Sequence, residues 1–140
     1  MSKINIGKVI VGGIVAGIIM NVIDYLVNGY FMAAQWSEAA KKLNTGVDAM
    51  AAGPVASYII GDFVFGLVIV WVYAAIRPRF GPGAGTAAKA SFAVWAVTTV
   101  FSAQMCMLGI YPASLLLTAS AAGLTGALAG GYVGGMMYKE

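Results

Sequence analysis

The sequence contains no histidine, a single cysteine and few charged residues, and each shortage excludes a class of function. Without imidazole, the usual ligand of haem, zinc and copper is absent, and so is the usual general base near neutral pH. Cys106 cannot form a disulfide within the chain, and we interpret it as a small packed apolar residue. No nucleophile–base pair and no phosphate-binding loop is recognisable, so we expect no enzyme activity, no cofactor and no metal.

Apolar residues dominate the chain instead. Of its 140 residues, 61% are hydrophobic and only 9% are charged, whereas a soluble domain has about 25% charged residues. The net charge of +3 is spread thinly over the ends of the apolar runs. This distribution is typical of membrane topology signals, so we expect the lipid bilayer as a partner and no nucleic acid.

Four apolar runs are long enough to cross a bilayer, which takes about 20 helical residues. We predict spans over 4–32, 55–76, 86–108 and 112–137, forming one all-α polytopic domain over 1–140. The first run is roughly twice the length of the apolar part of a signal peptide, so we expect it to be retained. Two prolines and two glycines within 77–83 predict that the second helix stops by residue 76.

The longest polar connection, 35–53, has two interpretations. Apolar residues recur at helical spacing over 36–47, which favours a short interfacial helix with Trp36 at headgroup level. The alternative is an irregular loop that contains a tryptophan. After the second span, Arg77 and Arg79 are placed to contact lipid phosphates.

Basic residues are distributed unevenly between the two sides of the predicted bundle. One side carries Lys3, Lys8, Arg77, Arg79, Lys89 and Lys139, and the other carries Lys41 and Lys42. Because positively charged segments stay in the cytoplasm, we expect both termini there and a location in the bacterial inner membrane.

Two acids lie inside the apolar runs. Asn21 and Asn28 flank Asp24 at helical spacing, and Tyr58 precedes Asp62 by one turn. A carboxylate that faces acyl chains is costly, so both acids must face protein or water. At a rise of ~1.5 Å per residue both lie ~12–14 Å below one membrane surface, so adjacent antiparallel spans would place them in a similar layer.

Three interpretations of these acids remain open. Each could be protonated or hydrogen-bonded to Asn, Tyr, Ser or Thr and join helices together. The two could instead share a site, where burial and mutual repulsion favour binding of a proton or a cation. One of them could also pair with a basic or polar group of a partner chain.

The last span contains small residues at a spacing that lets helix backbones approach closely in lipid. One row consists of Gly126, Gly130 and Gly134, and a second consists of Gly131 and Gly135. One row is predicted to face the first span, where Gly13 and Gly17 form a similar row. The other could face a second copy, although packing within one bundle explains it equally well.

Two segments carry a family resemblance. The sequences MNVIDYLVNG at 20–29 and YAAIRPRFGPG at 73–83 resemble those of a family of uncharacterised small bacterial four-span integral membrane proteins. The resemblance implies four spans over most of the chain and no known activity. The chain lacks the first-span glutamate of small multidrug transporters and the Arg-rich signatures of four-span glutathione-linked enzymes.

Two functions are compatible with these observations. The first is a non-enzymatic accessory or packing subunit of a homo-oligomer or larger membrane complex, as the glycine rows indicate. The alternative is a small proton- or cation-coupled transporter or channel that uses Asp24 and Asp62.

Overall fold

The computed structural model describes residues 3–138, which are helical apart from short connections. The helices are α1 (Ile6–Asp24), continued by a π-helix (Tyr25–Phe31), α2 (Ala33–Lys42), α3 (Ala52–Phe80), α4 (Ala84–Met107) and α5 (Ala113–Met137). No strand occurs within this range. Four helices, namely α1 with its π-helical end, α3, α4 and α5, are long and apolar enough to cross a membrane. The prediction of an all-α four-span bundle is confirmed.

The four long helices form a bundle with α1 and α4 at opposite corners. Both of these helices pack against α3 and α5. Helix α1 runs antiparallel to α3, since Gly13 lies against Leu67 of α3 and Gly17 lies against Phe63. The two ends of the described chain meet at one end of the bundle, where the Asn5 backbone N–H donates to the Tyr138 hydroxyl at 3.0 Å. They therefore lie on the same side, as predicted.

The half of the bundle nearest the chain ends is closely packed through glycine, and we call it the packed half. A Cβ added to Gly12 would lie 2.5 Å from the Gly134 carbonyl oxygen, and one added to Gly134 would lie 2.5 Å from the Gly12 carbonyl oxygen. Close backbone approach of this kind maximises van der Waals contact, which drives helix association in lipid. The buried side chains around these glycines are Val9, Ala16, Met20, Ile69, Val70, Tyr73, Ala74, Ala87, Ala90, Ala127 and Tyr138.

Both glycine rows of α5 make contacts within the chain. Gly126, Gly130 and Gly134 lie against Met20, Ala16 and Gly12 of α1, as predicted for one row. The second row lies against α3 and α4, because Gly131 contacts Ile69 and Ser91, and Gly135 contacts Tyr73. A contact between this second row and another copy is therefore no longer needed to explain it. Oligomerisation stays a prediction.

The expected partner of Gly13 and Gly17 is wrong. These glycines pack against α3, and the neighbouring small residues Gly12 and Ala16 pack against α5. The reason is that α1 touches two helices at once and needs a row of small residues for each. Consecutive helical residues point about 100° apart, so Gly12 contacts α5 and Gly13 contacts α3.

The predicted end of the second span at residue 76 is also wrong, because α3 continues through Pro78 to Phe80. Proline removes one backbone donor, and the helix continues for only two residues beyond it. Termination comes at Gly81, whose φ of +79° favours glycine. The Gly81 N–H donates to the Arg77 carbonyl at 2.9 Å and closes the last turn.

The connection between the first two spans contains a true helix, α2, as one of the two interpretations predicted. It covers Ala33–Lys42 rather than 36–47, and residues 43–47 are not helical. Glu38 and Lys42 form an exposed ion pair of 3.0 Å along it. Its placement in a membrane interface stays a prediction.

Candidate functional site

The half of the bundle nearest α2 contains an open cavity of about 840 Å³, which we call the central cavity. Sites for small organic ligands typically measure about 300–1,000 Å³. Every span contributes to the wall, together with the π-helix and Trp36 of α2. The polar lining residues are Asn21, Asp24, Tyr25, Asn28, Ser57, Tyr58, Asp62, Thr98 and Ser102, and apolar side chains form most of the remainder.

The cavity exists because α1 and α5 diverge toward α2. A Cβ added to Gly134, Gly130 or Gly126 would lie 2.5, 2.7 or 3.7 Å from the nearest atom of α1. The first two distances leave no room for a side chain, whereas the third is an ordinary van der Waals contact. The packed half therefore forms the closed end of the cavity.

Both intramembrane acids line the central cavity. The contact between Gly17 and Phe63 places the adjacent Asp62 near the level of Gly17, about 10 Å below Asp24 along the bundle. The acids are thus staggered rather than in one layer as expected. Side chains tilt toward the N-terminus of their helix, so in antiparallel helices the two carboxyl groups point toward each other.

Asp24 belongs to a chain of hydrogen bonds that reaches α2. The Asn28 amide Nδ2 donates to Asp24 Oδ1 at 2.7 Å, and the Trp36 Nε1 donates to Asn28 Oδ1 at 3.1 Å. The Trp36 ring also packs edge-on against Tyr111, with centroids 5.7 Å apart. Trp36, predicted at headgroup level, is therefore turned toward the cavity.

The π-helix begins at Tyr25, directly after Asp24. Its backbone is wider than that of an α-helix, and such segments are rare and frequently occur at functional sites. The Met32 N–H donates to the Val27 carbonyl at 2.8 Å and closes its last turn. This segment carries Asn28 into the cavity wall, next to the acid that it binds.

Asp62 has a buried oxygen without a partner in the described chain, whereas Asp24 Oδ1 accepts from Asn28. Its Oδ2 is buried and makes no hydrogen bond within residues 3–138. Tyr58, the expected support, lines the cavity but is 53% exposed. Asn21 is also engaged elsewhere, because its Nδ2 donates to the carbonyls of Gly17 at 2.9 Å and Ile59 at 3.2 Å. A buried unpaired acceptor is destabilising by about 1–3 kcal/mol, and a catalytic role, strain or a bound water or ion are the explanations to consider for such a group.

The wall formed by α4 and α5 is polar but uncharged. Thr98 donates to its own helix at the Trp95 carbonyl, 2.9 Å away, and Trp95 Nε1 donates to the Ser120 carbonyl at 2.9 Å. A smaller chamber of about 130 Å³ lies between these helices and shares Trp95 and Thr98 with the central cavity. The negative charge of the cavity thus lies on the α1 and α3 side.

No lysine or arginine is among the residues that line the central cavity in the described part of the chain. The arginines at the end of α3 lie over aromatic rings instead, Arg77 at 5.9 Å from the Tyr138 centroid and Arg79 at 5.7 Å from the Phe80 centroid. Their contacts with lipid phosphates stay a prediction. An ionised Asp62 therefore has no countercharge in the cavity.

Sequence reasoning missed Trp36 and the aromatic wall as parts of the site. The available signal for Trp36 was its position just beyond the span, eight residues after Asn28, where a donor could reach back along a helical connection. No comparable signal distinguished Phe63 and Trp95, which line the cavity, from Trp71, which is 49% exposed on the outside of the bundle.

No family profile, curated protein or solved structure matches this chain. The resemblance to a four-span bacterial family stays a prediction, and any function must be argued from the geometry of the cavity.

Replacing Trp36 with phenylalanine tests the hydrogen-bond chain. The substitution keeps an aromatic ring beside Tyr111 but removes the donor to Asn28, so we expect a loss of about 0.5–1.5 kcal/mol in unfolding free energy. Trp36→Phe and Asn28→Ala should be non-additive in a double-mutant cycle followed by denaturation in detergent. Strict additivity would show that the indole does not act through Asn28.

Proposed function

We propose that this chain is a small, non-enzymatic integral membrane carrier that binds a cation at Asp24 and Asp62 in exchange for protons. The observations that carry the proposal are that Asp62 lines a cavity whose lining residues include no basic side chain, and that its buried Oδ2 has no hydrogen-bond partner in the described chain. A carboxyl group in such a place has two stable states, protonated or paired with a cation. Exchange between these states couples binding of the cation to release of a proton.

The geometry favours this function over that of an accessory subunit. The accessory hypothesis rests on a chain that is nearly all span, on the lack of a soluble catalytic region and on glycine rows that a partner could contact. Both of these rows contact helices of the same chain. The cavity supports a carrier because it reaches Trp36 and Met50 at one end and is closed by the packed half at the other. These features correspond to one access state of a carrier.

We also propose a location in the bacterial inner membrane with both chain ends in the cytoplasm. The excess of basic residues on the side of the chain ends supports this orientation. The central cavity then faces the outside, so protons and cations enter it from there.

Proton–cation exchange can be measured in proteoliposomes that contain a pH-sensitive dye. An inward gradient of Na⁺ or tetramethylammonium is expected to drive protons out, and Asp24→Asn and Asp62→Asn should each reduce the rate at least tenfold. Each change removes an exchangeable proton and a negative charge while keeping the shape of the side chain.

The control is Glu38→Gln, which makes the same chemical change at an exposed acid of α2 that pairs with Lys42. This variant should exchange at the rate of the parent protein. Undiminished exchange in folded Asp24→Asn and Asp62→Asn proteins would refute the proposal.

A further inference from the structure

We infer that the cation is an amphipathic organic amine, with a protonated nitrogen at Asp62 and an apolar body against the cavity wall. This inference rests on the proposed cation exchange and adds the chemical class of the ligand. It depends on the size of the cavity, the donors that its acids need and the nature of its wall.

The size of the cavity favours an organic ligand over a metal ion. A volume of about 840 Å³ accommodates a ligand of drug-like size. Ca²⁺ and Mg²⁺ need at least six oxygen ligands at fixed distances. Within residues 3–138 no group of three or more His, Cys, Asp or Glu side chains is placed to hold a metal.

The hydrogen-bonding state of the acids selects an amine with an N–H group. Asp24 already accepts from Asn28, whereas Asp62 Oδ2 accepts from no donor of the described chain. A protonated amine supplies both a donor and a positive charge, and charge-assisted hydrogen bonds are stronger than neutral ones. A quaternary ammonium supplies charge alone.

The wall around Asp62 is suited to an apolar body. Phe63 and Phe65 of α3, Ile69 one turn further along, and Trp95 of α4 line the same cavity. Aromatic faces attract cations, and the aliphatic side chains exclude water from the bound ligand. An amine that carries a hydrocarbon or aromatic group therefore fills the cavity, whereas a small cation leaves most of it unoccupied.

The staggered acids give the two carboxylates different positions along the path of the ligand. Asp24 lies nearer Trp36 and the α2 end, and Asp62 lies about 10 Å deeper. A cation that enters from the α2 end meets Asp24 first and is held at Asp62. Besides the two acids, Tyr25 and Tyr58 are the titratable side chains that line the cavity from the described chain.

Calorimetric titration of the purified full-length protein in detergent tests this inference with three probes. They are 4-phenylbutylammonium, its neutral analogue 4-phenylbutanol, and tetramethylammonium, which has the charge without the body. We expect 4-phenylbutylammonium to bind at least tenfold more tightly than either other probe. Its affinity should fall as the pH is lowered, because protons compete for the carboxylates.

Two variants separate the charge from the cavity wall. Asp62→Asn should weaken binding of 4-phenylbutylammonium at least tenfold and leave 4-phenylbutanol unchanged. Ala119→Leu narrows the cavity from α5 without changing either acid, and should weaken 4-phenylbutylammonium but not tetramethylammonium. Glu38→Gln serves again as the acid-to-amide control and should bind all three probes as the parent does.

The outcomes distinguish this inference from the proposed function. If tetramethylammonium or Na⁺ drives proton release but 4-phenylbutylammonium binds no more tightly than they do, the inference is wrong and the carrier function stands. If no cation binds or drives exchange, both are wrong. Equal affinity for 4-phenylbutylammonium in the parent and in folded Asp62→Asn also overturns the inference.

Discussion

Gly134→Leu is expected to abolish the folded bundle. A Cβ at this position would lie 2.5 Å from the Gly12 carbonyl oxygen, 2.9 Å from Val70 Cγ2 and 3.0 Å from Ala16 Cβ. The nearest of these atoms belongs to backbone, which cannot move unless α1 separates from α5. Even Gly134→Ala should destabilise the protein by about 1–3 kcal/mol through overpacking, although alanine is the better helix former.

The matched control is Gly126→Ala, in the same row of the same helix. A Cβ there meets no atom of another helix closer than 3.7 Å, at Met20. This variant should be neutral or gain up to about 1 kcal/mol from helix propensity. Thermal unfolding in mild detergent measures the stability of all three variants. A Gly134→Leu protein as stable as the parent would contradict the described packing of α1 on α5.

This prediction also separates packing within the chain from assembly. If the row of Gly130 and Gly134 served only an oligomer, Gly134→Leu would yield folded monomers. Because these glycines contact α1 of the same chain, we expect loss of the monomer fold itself. Circular dichroism and size-exclusion chromatography on the same samples distinguish the two results.

Asp62→Leu is expected to stabilise the protein and to abolish proton–cation exchange. The parent buries a carboxylate oxygen that has no hydrogen-bond partner in the described chain. Removal of an unsatisfied polar group in favour of an apolar side chain of similar size should raise the unfolding free energy by about 1–3 kcal/mol. Increased stability with lost activity is typical of a residue kept for function.

Asp24→Leu provides the matched comparison and should have the opposite effect on stability. Asp24 accepts the Asn28 amide at 2.7 Å, and its loss leaves that amide without its acceptor while Trp36 still donates to the other end. We expect a loss of about 1–3 kcal/mol. Denaturation in detergent measures the unfolding free energy of both variants, and proteoliposomes measure their rate of proton–cation exchange.

The pair of substitutions distinguishes a functional acid from a structural one. If Asp62→Leu destabilises the protein as much as Asp24→Leu does, then Asp62 joins helices together and the proposed carrier loses its main support. If Asp62→Leu is more stable and inactive, the acid is retained for exchange at the expense of stability.

Much of the fold could be predicted from the sequence because membrane helices follow local rules. Run length and hydropathy determine where a helix can cross lipid, and these quantities depend on consecutive residues alone. The positions of α4 and α5 were therefore close to those observed. The end of α3 was misplaced because a proline near the end of a helix removes only one hydrogen bond, and the stop depends on the φ of Gly81.

The site could be predicted only in part. Spacing identified Asp24, Asn28 and Asp62 as inward-facing, because a charge in lipid has few alternatives. The spacing did not show that Asp24 accepts a hydrogen bond while a buried oxygen of Asp62 accepts none, since both acids have polar residues at helical spacing. That difference arises because Asn21 binds backbone carbonyls of α1 and α3, and Asn28 lies on a π-helix that directs it to Asp24.

The chain by itself determined that four helices are long and apolar enough to cross a membrane and that two of the apolar runs carry an acid, because both follow from the local balance of apolar and polar residues. Only the tertiary structure decided which helix each glycine meets, where the bundle separates and which carboxylate lacks a partner. These properties depend on distances between segments far apart in the chain. A Cβ added to α5 would lie 2.7 Å from the nearest atom of α1 at Gly130 but 3.7 Å from it at Gly126, and between these positions the closely packed half of the bundle gives way to the open cavity.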